Sequence, residues 1–327
     1  MTGRSILRAG MLAISFAMAG LLAISPASAA YPERIITGVV PYGVGGPSDI
    51  ISRLVAAGLA KEIGQTIVID NKVGAGGNLG MSVVAHAKPD GYTLLFVSIA
   101  PMQNPATFRH MPYDPLKDLT PVAVFGASAQ IVAVSAAKIQ SKTLGEFIAL
   151  IKANPGKYNI AGAGGQRMTM AKFLLTFDLD MQVVNYNSAG EVATALMSGE
   201  VDLLLNGLPA LASGGADGKI RLLAIAAESR ISSAPDLPTT KEAGFPQYVD
   251  ESTTGLYAPG GTPMDIVLKL NEATNRVLTS PDLIERFRKL GYTATPKSQA
   301  EFDKFYRSEI ARWKEVAIKG NVPPSDE

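Results

Sequence analysis

The sequence predicts an α/β fold of two sheet-and-helix units, and three observations carry that expectation. Short, continuously apolar β-rich runs alternate with segments whose apolar residues recur at three-and-four spacing. A tetrapeptide of the form G-x-G-G occurs three times, each time where a β-rich run hands over to a helical pattern. The length, 327 residues at 47% hydrophobic and 18% charged, suits about two domains.

The first thirty residues read as a separate device. Arg4 and Arg8 form a basic start, an apolar run extends from Ala9 to Ile24, and Pro26 leads into Ala27-Ser28-Ala29 and Ala30. That is the pattern of a secretory signal peptide cut near Ala29 or Ala30. What remains carries 28 basic against 29 acidic residues, without the positive charge of a nucleic-acid binder. No later run approaches the roughly 18–20 uninterrupted apolar residues of a membrane span. An exported, near-neutral chain with no cysteine suits a bacterial periplasm better than the disulfide-stapled extracellular space.

Along the remaining chain, Ile35–Val40, Thr66–Asp70, Tyr92–Val97, Gln130–Ser135, Tyr158–Ala161, Gln182–Tyr186, Val201–Leu205 and Arg221–Ala226 read as strands. Their runs are mostly continuously apolar rather than alternating, as in largely parallel sheets covered by helices on both faces. Ile50, Ile51, Leu54, Val55 and Leu59 mark one helix, and Val192, Leu196 and Met197 another. Ser188-x-x-Glu191 and Ser298-x-x-Glu301 fit the capping box, while Thr262-Pro263 and Ser280-Pro281 place proline at a helix start. The C-terminal third is helical over roughly 263–279, 281–290 and 298–318. No flexible linker appears, so the units are expected to join through the Pro121–Ser135 and Ser252–Pro259 runs. Residues 31–128 with 256–327 then form one lobe and 129–255 the other.

The glycine tetrapeptides are Gly43-Val44-Gly45-Gly46, Gly74-Ala75-Gly76-Gly77 and Gly162-Ala163-Gly164-Gly165. A strand-to-helix junction of this kind lies at the carboxyl edge of a sheet, where ligands bind. Glycine lets main-chain N–H groups approach a ligand closely, and the helix N-terminus behind favours an anion. None of the three extends to a dinucleotide fingerprint, and no phosphate-binding G-K-[ST] loop occurs. Catalytic material is thin. There is no thiol, no G-x-S-x-G elbow, and only His86 and His110. Ser135-x-x-Lys138 matches a minimal Ser–Lys pattern but lies in a β-rich run rather than at a helix start. No metal and no cofactor are expected. Asp49 can cap a helix or meet a polar ligand group, and Arg167, just after the third loop, can pair with a carboxylate.

At these loops the sequence resembles the substrate-binding proteins of tripartite tricarboxylate transporters, the Bug or TctC-like family. The resemblance rests on Tyr31-Pro32, Pro41-Tyr42, Gly45-Gly46, Ser48-Asp49 and Asn71-Lys72-Val73-Gly74-Ala75-Gly76-Gly77-Asn78. It continues through Pro89-Asp90-Gly91-Tyr92, Gly199-Glu200-Val201-Asp202, Leu208-Pro209-Ala210 and Gly255-Leu256-Tyr257-Ala258-Pro259-Gly260-Gly261-Thr262-Pro263. It implies a two-lobed periplasmic binding protein of type II, with the ligand cleft between the lobes and a small carboxylate as ligand. Tyr42, Gly43, Val44, Gly45, Gly46, Ser48 and Asp49 would face it from one lobe. From the other would come Gly162, Ala163, Gly164, Gly165, Gln166, Arg167, Met168, Thr169, Tyr186 and Asn206. It implies a monomer that hands its ligand to membrane permease subunits. Met168 and Met170, near positions where relatives offer small polar groups, suggest a carboxylate with a bulky, partly apolar body. An exported α/β enzyme such as a hydrolase is the alternative.

Overall fold

The computed structural model describes residues 31–163, 166–186 and 189–324. The signal-like segment, Gly164, Gly165 and Ser188 lie outside the described residues. In chain order the elements are β1 (Ile36–Val40), α1 (Pro47–Ile63), β2 (Ile67–Asn71), α2 (Asn78–Ala85), β3 (Thr93–Val97), α3 (Ala100–Thr107), β4 (Leu119–Ala129), β5 (Ile131–Ser135) and α4 (Leu144–Lys152). There follow β6 (Asn159–Ala163), α5 (Arg167–Phe177), β7 (Gln182–Tyr186), α6 (Ala189–Ser198), β8 (Leu203–Asn206), α7 (Leu208–Ala216) and β9 (Ile220–Ile225). The chain ends with β10 (Glu251–Pro259), α8 (Met264–Leu278), α9 (Pro281–Lys289), β11 (Thr293–Ala294) and α10 (Gln299–Lys319).

Two sheets result, ordered β11-β4-β10-β3-β1-β2 and β7-β6-β8-β5-β9. Each contains a parallel core: β2-β1-β3 in the first and β7-β6-β8 in the second. The expectation of largely parallel sheets is corrected by the remaining strands. β10 runs antiparallel to β3 and β4, and β5 runs antiparallel to β8 and β9. These two strands, β5 and β10, are the ones that carry the chain into the second sheet and back to the first.

Burial follows the pleat and the helical repeat. In β5, Val132 and Val134 join the core on one face of the second sheet, with Phe147, Ile160 and Phe173. Ile131 and Ala133 join the core on the opposite face, with Val192, Leu196 and Leu204. That two-sided burial explains why these strands read as unbroken apolar runs. In α10, Phe302, Tyr306, Ile310, Trp313 and Ala317 recur at helical spacing and fill the first sheet's core beside Val39, Leu95, Val97 and Tyr257. The capping box at its start is present: Ser298 accepts from the Glu301 N–H, and Glu301 from the Ser298 N–H.

The sheets are joined where β4 passes into β5. Gln130 N–H donates to the Asp250 carbonyl at 2.9 Å, and its own carbonyl accepts from Ala226 N–H at 2.8 Å. Asp250 N–H in turn donates to the Ala226 carbonyl at 2.8 Å. Three backbone segments are thus laced together at the crossing, which we call the hinge.

Candidate functional site

Parallel strands place the loops at their carboxyl ends along one edge. In the first sheet that edge gathers the loops after β1, β2 and β3; in the second it gathers those after β6, β7 and β8. The sequence-identified residues fall on these two edges.

The loop after β1 is built around Asp49, which is 1% exposed. Its Oδ2 accepts from Gly45 N–H and from Arg53 Nε, both at 2.9 Å, and its Oδ1 accepts from Asn71 Nδ2 at 2.9 Å. Asn71 also donates to the Tyr42 carbonyl at 2.8 Å and accepts from Arg53 at 2.8 Å. Burial opposes ionisation of Asp49, but these donors outweigh it and hold the pKa at about 2. The carboxylate is therefore committed to the protein, and Asp49 secures the loop through both of its oxygens. Gly45, at φ +81°, supplies the left-handed turn that aims its N–H back at Asp49.

What the loop leaves open lies above this clamp. The first turn of α1 begins at Pro47, and the N–H groups of Ser48 and Asp49 meet no backbone carbonyl among the described residues. Ser48 Oγ is buried with no hydrogen-bond partner. Gly43 and Val44 stand exposed at the tip, Val44 at 75%. Tyr42 is half-buried, its hydroxyl accepting from Ser98 Oγ at 3.5 Å, and burial raises its pKa. The glycine loop after β2 packs alongside: a Cβ on Gly77 would lie 3.4 Å from the Pro41 and Tyr42 side chains. Below it, Asn104 donates to Asn78 Oδ1 at 2.9 Å and to the Gly76 carbonyl at 3.2 Å.

On the second sheet, Gly162 and Ala163 end β6, paired with Asn185 and Tyr186 of β7. A Cβ at Gly162 would come within 2.9 Å of Gln166 Cβ, so glycine allows α5 to start hard against its strand. Gln166 Nε2 donates to the Leu205 carbonyl at 3.1 Å, tying the loop to the end of β8. Asn206 Oδ1 accepts from Gly207 N–H at 2.8 Å, and the Tyr186 hydroxyl donates to Glu200 at 3.1 Å. Arg167 is half-buried at the first position of α5, and its side chain makes no hydrogen bond or ion pair with a described residue.

Met168 and Met170 do not line an open site. Each is 1% exposed: Met170 lies in the second sheet's core, and Met168 crosses into the first sheet's core beside Met102, Trp313 and Ala317. The expectation that Met168 contacts ligand, and the apolar ligand preference drawn from both residues, are corrected accordingly. Four residues along α5 is Lys172, which the sequence gave no reason to single out. Its ammonium donates to Asp250 Oδ1 at 3.0 Å and to the Val249 carbonyl, and lies 5.5 Å from the Trp313 ring centre. Burial lowers the Lys172 pKa, with Asp250 opposing.

A cavity of about 190 Å³ opens at the hinge, lined by Ile99, Gln103, Gln130, Gln166, Thr169, Asp250, Glu251, Ser252 and Trp313. Residues following β3 and residues following β6 meet across it. Among the described residues no cluster of three His, Asp or Glu could hold a metal ion, and no helix is long and apolar enough to cross a membrane.

Two sheets laced at a hinge, with glycine-rich loops at their carboxyl edges, define a two-lobed solute-binding fold. This chain belongs to the tripartite tricarboxylate transporter family of receptors, whose family model matches residues 51–322. Protein BugT of Bordetella pertussis is 33% identical over 309 residues, spanning 93% of this chain and 94% of that one. An R. palustris protein solved with adipate is 30% identical with a TM-score of 0.75, covering 90% of this chain and 100% of its own. MatC from Rhodopseudomonas palustris, solved with bound malate, is 34% identical with a TM-score of 0.70, covering 88% and 99%. The family consists of periplasmic receptors rather than enzymes, so the hydrolase alternative is not favoured.

Proposed function

We propose that this chain, once residues 1–30 are removed near Ala29 or Ala30, works in the periplasm as a monomeric receptor for one small carboxylate. It takes up the ligand without metal or cofactor and delivers it to the permease of a tripartite transporter. The observation that carries the reading is the first turn of α1. Open N–H groups at Ser48 and Asp49, with a buried, unpartnered Ser48 hydroxyl, sit over a loop that Asp49 holds in place. Arg53 pairs with the Asp49 charge at 2.9 Å, so the positive end of the helix remains available to an anion. Relatives solved with adipate and malate support the ligand class. In this reading the lobes are 31–128 with 256–327, and 129–255, meeting at the two crossings near Gln130 and Asp250.

Across the cleft, Arg167 supplies a charge-assisted hydrogen bond to the ligand. A thermal-shift panel of mono-, di- and tricarboxylates tests the reading. Ligand at 100 times its dissociation constant stabilises by about 2.7 kcal/mol, a rise of several degrees for a chain of this size. Arg167→Ala is expected to weaken binding roughly ten- to hundredfold, as loss of about 1.5–3 kcal/mol requires. A panel without any shift, together with turnover of an ester or amide, overturns the receptor assignment.

A further inference from the structure

The hinge cavity has a chemical character of its own. Its walls bring together two carboxyl groups, Asp250 and Glu251, and three amide side chains, Gln103, Gln130 and Gln166. No lysine or arginine lines it. Lys172, beside Asp250, donates to Asp250 Oδ1 and the Val249 carbonyl. The Asp250 carboxylate, on a residue 3% exposed, also lies against the Tyr248 hydroxyl, and Gln130 Oε1 is buried with no partner. Trp313, wholly buried on the same wall, has an indole N–H without a partner. The Glu251 side chain accepts no hydrogen bond from any described residue. Buried polar groups left unpaired cost stability unless a ligand or water completes them.

We infer that this cavity is a subsite for the far end of the ligand, and that it selects a hydrogen-bond-donating group, an ammonium or a hydroxyl, over a second carboxylate. The inference rests on the carboxylate-receptor reading and sharpens it. Gln166 and Thr169 connect the cavity to the start of α5, so a short ligand whose carboxylate lies at the glycine loops points its tail toward Glu251. There an incoming ammonium or hydroxyl finds the Glu251 carboxyl and the amide oxygens, whereas a carboxylate faces two acids with no lysine or arginine on the cavity wall. Burial, together with Glu228, raises the Glu251 pKa, with Lys172 and Lys297 opposing.

The test is calorimetric titration of the wild-type receptor with three matched series from four to eight carbons: ω-amino acids, ω-hydroxy acids and α,ω-dicarboxylates. At the best-fitting length the amino or hydroxy acid is expected to bind at least tenfold more tightly than the dicarboxylate. In Glu251→Lys, with folding checked by circular dichroism, that order is expected to invert. Tighter binding of dicarboxylates by the wild type overturns the subsite while leaving the carboxylate receptor intact. So does an unchanged order in a folded Glu251→Lys. No binding by any member overturns the subsite, and the broader carboxylate panel then decides the receptor reading. If Glu251→Lys does not fold, the wild-type series alone decides.

Discussion

The two loop-bearing sheet edges are held in place by different means. The loop after β1 is secured from within its own sheet: Asp49, Arg53 and Asn71 form one charge-assisted cluster, and all three lie within 30 residues of the glycines they steady. The helix behind the third glycine loop is secured from elsewhere. Lys172 fastens α5 to the hinge strand, and Met168 buries itself in the first sheet's core beside α10. The first edge is therefore a fixed platform. The second is coupled to the hinge, so whatever shifts α5 against α10 shifts the start of α5 with it.

Breaking that coupling has the largest expected effect. Lys172→Met leaves Asp250 charged and unpaired in the interior, at a cost of about 3–5 kcal/mol. The melting temperature should fall by on the order of 10 °C. The double variant Lys172→Met with Asp250→Asn should recover much of the loss, because the orphaned charge is gone. Thermal unfolding of the four proteins of the cycle measures this. If the single Lys172 variant melts with the wild type, α5 is held by apolar packing alone.

The platform loop is sensitive to acid instead. Asp49 has a folded pKa of about 2 against an ordinary value of 3.8, so the folded state favours the ionised form. Its contribution, about 2 kcal/mol, is complete above pH 4–5 and is lost as pH falls toward 2. Asp49→Asn removes the charged acceptor, so the variant should be less stable than wild type at pH 7. The two should converge as the pH drops from 5 to 2. Parallel melting curves across that window would show that the Asp49 charge does not secure the loop.

Much of this fold was legible in the chain. Apolar runs marked most strands of the two parallel cores, and the Ser298 capping box and the proline at 281 marked helix starts to within a residue. The two-residue β11 carried no periodicity to find. β4 and β10 were visible as crossings, but their antiparallel pairing depends on partners over 100 residues away. The glycine loops were legible because glycine announces unusual backbone. Their supports were not. Lys172 and Asp250 are 78 residues apart, and nothing local distinguishes a lysine paired in the interior from one on a solvated face. Met168 misled for a related reason: a methionine beside a binding loop reads the same whether it faces the cleft or the opposite core.

The smallest expected effect probes the link between the third glycine loop and β8. Gln166 Nε2 donates to the Leu205 carbonyl at 3.1 Å, a neutral hydrogen bond of about 1 kcal/mol net. Gln166→Leu keeps similar bulk against Gly162 but removes the donor, leaving the Leu205 carbonyl to find water. Because α5 stays anchored through Lys172 and Met168, the melting temperature should move by only a few degrees. The loop, however, loses its tie to the strand end, and ligand affinity should fall roughly fivefold, the equivalent of about 1 kcal/mol. That split between a small stability change and a measurable affinity change separates a loop-positioning role from a merely structural one. Equal affinity in wild type and Gln166→Leu would mean that α5, fixed at its far end, orders the loop unaided, and the coupling to the hinge would then account for the whole of the second edge.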